Sequence, residues 1–465
     1  MPQTEHYEVL IVGGGKAGKT LAVDLAKFGV RVCLVERGQI GGTCINTGCI
    51  PSKAIIRCAE IAANVVNAAR FGTDVERTGT RMSGVLAYKR AVVAGMVELN
   101  WKNLHGTLGD RYVLGQATFV DPKTIDVVPA AGGAVRRMSG DKVFINVGSK
   151  PAMPTVPGLD EAAPLTSTSL MELDYLPDHL VILGGGSIAV EFGQAFRRLG
   201  SRVTLIQRAA RLLSAEEPET SEAVETLFAE DGIDVFVHAR APAVEGKSGE
   251  SVKITFTTPN GHHTVVGSHL LIATGRVPAT DGLNLAAAGV DVDASDAIVV
   301  NDRLETSAAD VWALGDCAGS PQHTHVALDD YRIVKANVFA GGERSTLDRL
   351  IPHTVFIDPE LGRVGMTEPQ ARERGLDIRV ARAAMSAVPK ARTLGSTHGF
   401  MKAVVDAPSK RILGFTMLGP HAGEVTAVVQ TAMWGGLPFT ALRDGVIAHP
   451  TMAEGLNVLF ASITV

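Results

Sequence analysis

An α/β fold built on two Rossmann-like units is the class this sequence predicts, and three observations predict it. The first is a strand–glycine loop–helix–strand pattern across residues 7–36. The second is a copy of that pattern across residues 181–208. The third is size: 465 residues, 46% of them hydrophobic, suit about three domains with substantial cores.

The first unit opens with "YEVLIV" (7–12), a β-rich apolar run short enough for a buried strand. "GGGKAGKT" (13–20) follows and fits two patterns. As G-x-x-x-x-G-K-T it is a P-loop, with Lys19 on phosphates and Thr20 on magnesium. As G-x-G-x-x-G, with Gly13, Gly15 and Gly18, it places a pyrophosphate at a helix N-terminus. "KTLAVDLAKFG" (19–29) has Leu21, Leu25 and Phe28 at helical spacing, with Gly29 as the stop. "VRVCLVE" (30–36) is a second strand ending in Glu36, an acid placed to meet ribose hydroxyls. A P-loop gives Glu36 no role.

The second unit decides between the two. "VILGGGSIAVEFG" (181–193) carries Gly184, Gly186 and Ala189 in a G-x-G-x-x-A pattern, followed by Gly200 and the strand "RVTLIQR" (202–208). It lacks the Lys-Thr pair, so only the dinucleotide reading explains both loops. Two dinucleotides in one chain point to a flavin that receives hydride from a nicotinamide.

Composition narrows the class further. A formal charge of −5 without a Lys/Arg run excludes a nucleic-acid surface. No apolar stretch approaches the ~18 residues of a membrane span. The N-terminal run enters a strand without a basic leader, so a cytoplasmic location is expected. The five cysteines, Cys33, Cys44, Cys49, Cys58 and Cys317, are too few for a disulfide framework in so long a chain.

"GGTCINTGCIPSK" (41–53) places Cys44 and Cys49 five apart, eight residues after the first βαβ unit. No second ligand pair stands at zinc spacing, so no metal site is expected. A dithiol beside a flavin can take up two electrons and pass them on by thiol–disulfide exchange. Here the sequence resembles the class I pyridine nucleotide-disulfide oxidoreductases, and the likeness spans the whole chain. It implies two Rossmann-like domains, for FAD and NAD(P)H, plus a C-terminal α+β dimerisation domain. The expected boundaries are 1–146 with 273–345 for FAD, 147–272 for the nicotinamide, and 346–465 for the interface. The resemblance makes Cys49 the thiolate against the flavin and Cys44 the interchange thiol. Lys53 and Glu191 become an ion pair near the flavin N5. Within "DVWALGDC" (310–317), Asp316 is expected on the ribityl chain. Gly42, Thr43, Gly148 and Gly275, the last in "ATGRVP" (273–278), are also implied in cofactor binding. Cys33, Cys58 and Cys317 are expected to be buried spectators.

Near the C-terminus "AHPTMAEGL" (448–456) holds His449 and Glu454, whose H-P-T-x-x-E spacing resembles the family's acid–base pair. The resemblance sends this pair to the partner subunit's Cys44 and so implies a homodimer. Gln207-Arg208 ends the second unit where an NADH enzyme would carry an acid. Arg208 and Arg211 therefore favour the 2′-phosphate of NADPH, with NADH as the alternative. "GKAGKTLAV" (15–23) and "LDDYRIV" (328–334) resemble the reactive-chlorine-resistance flavoproteins, and "SAVPKART" (386–393) the mercuric reductases. The chain lacks the terminal vicinal cysteines of the latter. The expected activity is NADPH-dependent electron transfer to a disulfide, metal ion or quinone in oxidative or metal stress. The alternatives are a dihydrolipoamide dehydrogenase and, in another class, an electron-feeding or non-catalytic flavoprotein subunit.

Overall fold

The computed structural model describes residues 4–76 and 79–463, and the three largest of the five sheets among them, with their helices, organise the chain. In the first sheet, strand Glu5–Val12 lies parallel to both Val32–Glu36 and Arg136–Ile145. Val311–Ala313 joins Arg136–Ile145 on its other side, also parallel, so segments from both ends of residues 1–345 share one sheet. Tyr112–Asp121 pairs parallel with Val32–Glu36 and antiparallel with Thr124–Pro129, which in turn runs antiparallel to Arg136–Ile145. The central strands read as continuous apolar runs because helices cover the sheet. Val9, Ile11, Leu34 and Phe144 pack with Leu21 and Leu25 of helix Lys16–Lys27 in one core. The Phe144 and Trp312 rings stack there at 5.0 Å.

The second sheet is parallel, in the order His269–Ile272, His179–Leu183, Arg202–Ile206, Asp234–Phe236. Helix Ser187–Leu199 buries Ala189, Val190, Phe192 and Phe196 against it. Ser149–Pro151 and Arg276–Pro278 pair as a two-stranded ribbon where the chain enters and leaves this region. The third sheet is antiparallel, with five strands running between His353–Val355 and Ile378–Ala384. Helices Ala422–Trp434 and Gly455–Ala461 lie over it. Among the described residues no helix is long and apolar enough to cross a membrane.

Three local expectations need correction. The first helix begins at Lys16, not Lys19, because Gly15 is extended and starts it without a side-chain cap. The strands expected over 30–36 and 202–208 narrow to Val32–Glu36 and Arg202–Ile206. Phe28 is 75% exposed rather than on the buried face. It is the C-cap residue, outside the helical repeat, and its ring lies under the Lys335 ammonium at 5.5 Å.

Candidate active site

The first glycine loop is shaped by close backbone approach. Gly13 has φ +105°, and a Cβ there would lie 2.3 Å from the Asn146 carbonyl oxygen. Only glycine fits. Asn146 then locks the loop: its Oδ1 accepts from the Gly18 N–H at 2.9 Å, and its Nδ2 donates to the Leu314 carbonyl at 2.7 Å. The first turn of the following helix carries no acid, so its N-terminus suits an anionic pyrophosphate. The P-loop reading closes here. Thr20 Oγ1 donates back to the Lys16 carbonyl at 2.6 Å, and Lys19 Nζ donates to Asn100 Oδ1 at 2.7 Å, so neither turns to the loop.

A crevice runs past this loop, lined by Gly13, Gly15, Glu36, Thr43, Gln116 and Gly148. The Glu36 carboxylate accepts from Gly14 N–H and Gly38 N–H, both at 2.7 Å, which fixes it on the crevice wall with lone pairs to spare. Gly42 closes over the loop: at φ +68°, a Cβ there would meet Gly15 Cα at 2.8 Å. Asp316 sits beyond, where its Oδ2 accepts from Ser149 Oγ at 2.5 Å and Arg276 Nε donates to the same hydroxyl at 2.8 Å. Gly148 and Gly275 are both at positive φ, at the turns flanking the two-stranded ribbon. An open helix N-terminus, a wall acid and a cradle without side chains fit a dinucleotide such as FAD.

Cys44 lies in the short helix Gly42–Asn46, and Cys49 is the first residue of helix Cys49–Val66. Both are free thiols, Cys44 half-buried and Cys49 at the surface of the chain. The Cys44 thiol donates to Cys49 and brings its pKa down to about 6, against the opposing effect of burial. Thr324, whose Oγ1 is 3.4 Å from Cys49 Sγ, and the Lys53 ammonium act in the same direction. The Cys44 pKa is pushed up by its bond to Cys49 and by burial. One thiolate and one thiol are thus set apart by geometry. The other cysteines behave as spectators: burial raises Cys33 to about 12 and Cys317 to about 11. Cys58 is only half-buried, contrary to expectation, because it faces the edge of a core cluster rather than its centre.

Lys53 reaches across to the buried Glu191 at 2.7 Å. Glu191 Oε1 also accepts from the Phe356 N–H at 2.9 Å, and the Lys53 ammonium sits 4.6 Å from the Phe356 ring centroid. Three segments far apart in the chain meet at this pair.

The second glycine loop repeats the first. Gly184 has φ +126°, and a Cβ there would lie 2.2 Å from the Ala273 carbonyl oxygen. Gly186 starts the helix that buries Ala189 completely. The segment after Ile206 folds back, and Leu213 N–H donates to the Gly185 carbonyl at 2.7 Å. This presents Arg208 exposed and Arg211 half-exposed beside the loop. His449 and Glu454 pair at the other end of the chain: His449 Nδ1 lies 2.8 Å from Glu454 Oε1, leaving Nε2 outward on a 65% exposed side chain.

Sequence reasoning missed Asn146, Thr324, Phe356 and Arg276 as individuals. Arg276 stood inside a quoted segment, and its long side chain next to Gly275 was a usable signal. The other three had none.

Two nucleotide loops flanking a dithiol define a pyridine-nucleotide-dependent flavoprotein oxidoreductase. Residues 7–330 match the family model described as pyridine nucleotide-disulphide oxidoreductase, and residues 351–459 match its dimerisation domain. The chain belongs to this family and is an enzyme of its RclA and mercuric-reductase-like branch, using FAD and a pyridine nucleotide. It is 38% identical to the probable pyridine nucleotide-disulfide oxidoreductase RclA of Escherichia coli K12, over 98% of this chain and 99% of that one. A mercuric reductase of Lysinibacillus sphaericus is 35% identical, over 98% of this chain and 82% of its own. The solved Cu(II) complex of the HOCl-induced flavoprotein disulfide reductase RclA from Escherichia coli superimposes with a TM-score of 0.89 at 38% identity, covering 99% and 100% of the two chains.

Proposed function

We propose that this enzyme takes electrons from NADPH and delivers them through Cys44 and Cys49 to a small acceptor, in a response to oxidative or metal stress. The observation that carries the reading is the placement of two free thiols beside the first glycine loop, with Thr324 Oγ1 at 3.4 Å from Cys49 Sγ; the Cys44 thiol lowers the Cys49 pKa to about 6 and its own is pushed up. When bound, FAD supplies the relay from a hydride donor to a disulfide. Gly13, Gly15, Gly18, Gly42, Thr43, Gly148 and Gly275 would leave room for it, with Glu36 and Asp316 holding its ribose and ribityl hydroxyls. Gly184, Gly186 and Ala189 would seat the nicotinamide dinucleotide, and Arg208 and Arg211 would bind its 2′-phosphate. Neither guanidinium has a hydrogen-bond or ion-pair partner among the described residues. Lys53 and Glu191 hold a fixed charge pair at the junction of the domains.

With a disulfide acceptor R–S–S–R′, Cys44 would give its proton to the partner subunit's His449, and the resulting thiolate would attack one sulfur, forming Cys44–S–S–R and releasing R′–S⁻. That thiolate takes a proton from the partner subunit's His449, oriented by its Glu454. Cys49 then attacks the Cys44 sulfur, releasing R–S⁻ and restoring the Cys44–Cys49 disulfide. This step requires the homodimer that the dimerisation domain supports. The Cu(II) complex of RclA supports a thiophilic metal ion as another acceptor, taken by the soft thiolates. The test compares His449→Ala with the parent on a disulfide and on cupric ion. Loss of 10²-fold or more on the disulfide alone is expected. Equal loss on both acceptors would contradict the acid–base role.

A further inference from the structure

The five-stranded sheet of the dimerisation domain has two unlike faces, and one of them carries charge. Along strand Phe400–Asp406, Met401, Ala403 and Val405 enter the core beneath the helices, so Lys402 between them lies on the opposite face. The register runs a single row across that face: His353, Arg363, Thr416, Lys402 and Arg382 are neighbours on the five strands. Lys402 and Arg382 are direct cross-strand partners, an arrangement that repels unless acids offset it. Lys402 is also only 3% exposed, which is rare for a lysine without paired carboxylates.

Most of the acids come from one turn of the second dinucleotide-binding unit. Glu216 meets His353 Nε2 at 2.8 Å and Arg363 Nε at 2.9 Å. Glu217 meets Lys402 Nζ at 2.8 Å and accepts from the Glu368 N–H at 3.2 Å. Glu219 pairs with Lys402 and lies 3.5 Å from Arg382 Nε. Glu368, from the sheet's own domain, completes the set at 2.9 Å from Lys402 and 2.8 Å from Arg382. Helix Pro218–Glu230 would favour acids at its start for its dipole alone, but Glu217 makes no cap bond and turns to Lys402 instead.

The same turn is tied at its other end to the second glycine loop. Leu213 N–H donates to the Gly185 carbonyl at 2.7 Å, and Glu216 N–H donates to the Leu213 carbonyl at 2.8 Å. Leu212 N–H donates to Glu225 Oε1 at 2.8 Å, on the helix that the acids open. Arg208 is held locally, because its neighbour Ala209 accepts from the His238 N–H at 2.9 Å. Arg211 is the side chain whose placement depends on the turn.

We propose that the charged row is a positioning device for the nicotinamide dinucleotide: Lys402 and Arg363, acting through Glu217, Glu219 and Glu216, hold the turn that sets Arg211 against the 2′-phosphate of NADPH. This rests on the proposed function above, which assigns that phosphate to Arg208 and Arg211. It also gives the row a reason. Adjacent cations on one sheet face are stable only with the turn docked, so the domain that pairs subunits and the domain that takes NADPH are fixed to each other beside the nucleotide.

The test is anaerobic reduction of the FAD-loaded enzyme by NADPH and by NADH, followed in stopped flow as a function of nucleotide concentration. Lys402→Met should raise the apparent Kd for NADPH about tenfold, and Glu219→Gln about threefold. For NADH, which has no 2′-phosphate, neither should raise it more than about twofold. The limiting rate of flavin reduction should hold for both nucleotides. In an Arg211→Gln background, Glu219→Gln should add no further loss on NADPH. The Glu219 side chain is 38% exposed, so its variant keeps the proposal testable should Lys402→Met fail to fold. An unchanged NADPH Kd in folded Glu219→Gln, or an equal rise for NADPH and NADH, would overturn the proposal and leave the row as domain packing alone. So would a full additional loss in the Arg211→Gln background. If Arg208→Gln and Arg211→Gln both leave the Kd for NADPH unchanged, the proposed nucleotide site itself has failed, and the inference with it.

Discussion

The two glycine loops solve the same backbone problem and differ in how they are closed. At both Gly13 and Gly184 a positive φ brings the turn against a carbonyl of the neighbouring segment, Asn146 and Ala273 respectively. After that they diverge. The first loop is tied by the Asn146 side chain, roofed by Gly42 and flanked by the wall acid Glu36. The second has an exposed Thr274 and Gly275 nearby and unpaired arginines at its edge. On the proposed reading, the first would retain its ligand and the second exchange it. The difference teaches that one glycine fingerprint can be closed in two ways, by a side-chain lock and a roof in the first loop and by an open edge with exposed arginines in the second.

The largest effect should come from one substitution made in both loops. Gly13→Ala and Gly184→Ala each force a side chain into strained backbone against a carbonyl oxygen. Gly13→Ala should purify with less than about a tenth of the parent's FAD, the result of a few kcal/mol of strain and overlap. Gly184→Ala should keep its flavin and show a KM for NADPH raised about tenfold or more. Flavin absorbance per chain and steady-state kinetics separate the two. Identical phenotypes would erase the comparison.

Asn146→Ala should come next. It removes two hydrogen bonds and leaves the Gly18 N–H and the Leu314 carbonyl without their partner, at about 2–4 kcal/mol in all. Denaturant unfolding of the apoprotein would read this directly, and a change below about 0.5 kcal/mol would show that the lock is cosmetic. This residue also shows where sequence reading stopped. The glycine loops, the cysteine pair and the His449–Glu454 spacing were legible because each is a local pattern whose chemistry demands neighbouring residues. Asn146 acts on Gly18 across 128 positions, Thr324 meets Cys49 across 275, and Phe356 meets Glu191 across 165. Such contacts are created by the packing of distant segments and leave no period or spacing in the chain. Phe28 failed for the opposite reason: its spacing was right, but the helix had already ended.

Arg208→Glu should shift the NADPH/NADH ratio of kcat/KM by roughly 10–100-fold towards NADH, the worth of one or two charge-assisted contacts replaced by repulsion. The flavin spectrum should not change. A ratio within twofold of the parent would remove the arginines from nucleotide choice. The smallest effect concerns Cys49. A long-wavelength thiolate band in the reduced enzyme should persist above about pH 6 and fade as pH falls through it. Lys53→Met should raise that midpoint by about one unit, because it removes the cation that favours the thiolate. A midpoint unchanged by the substitution would leave the Cys44 thiol and Thr324 as the causes.

The most direct test of the electron path is an anaerobic titration of the oxidised enzyme with NADPH, with new thiols counted and located by differential alkylation and mass spectrometry. One equivalent per subunit is expected to expose two thiols, at Cys44 and Cys49, together with the long-wavelength thiolate band. A bleached flavin spectrum with the Cys44–Cys49 disulfide intact would contradict the account.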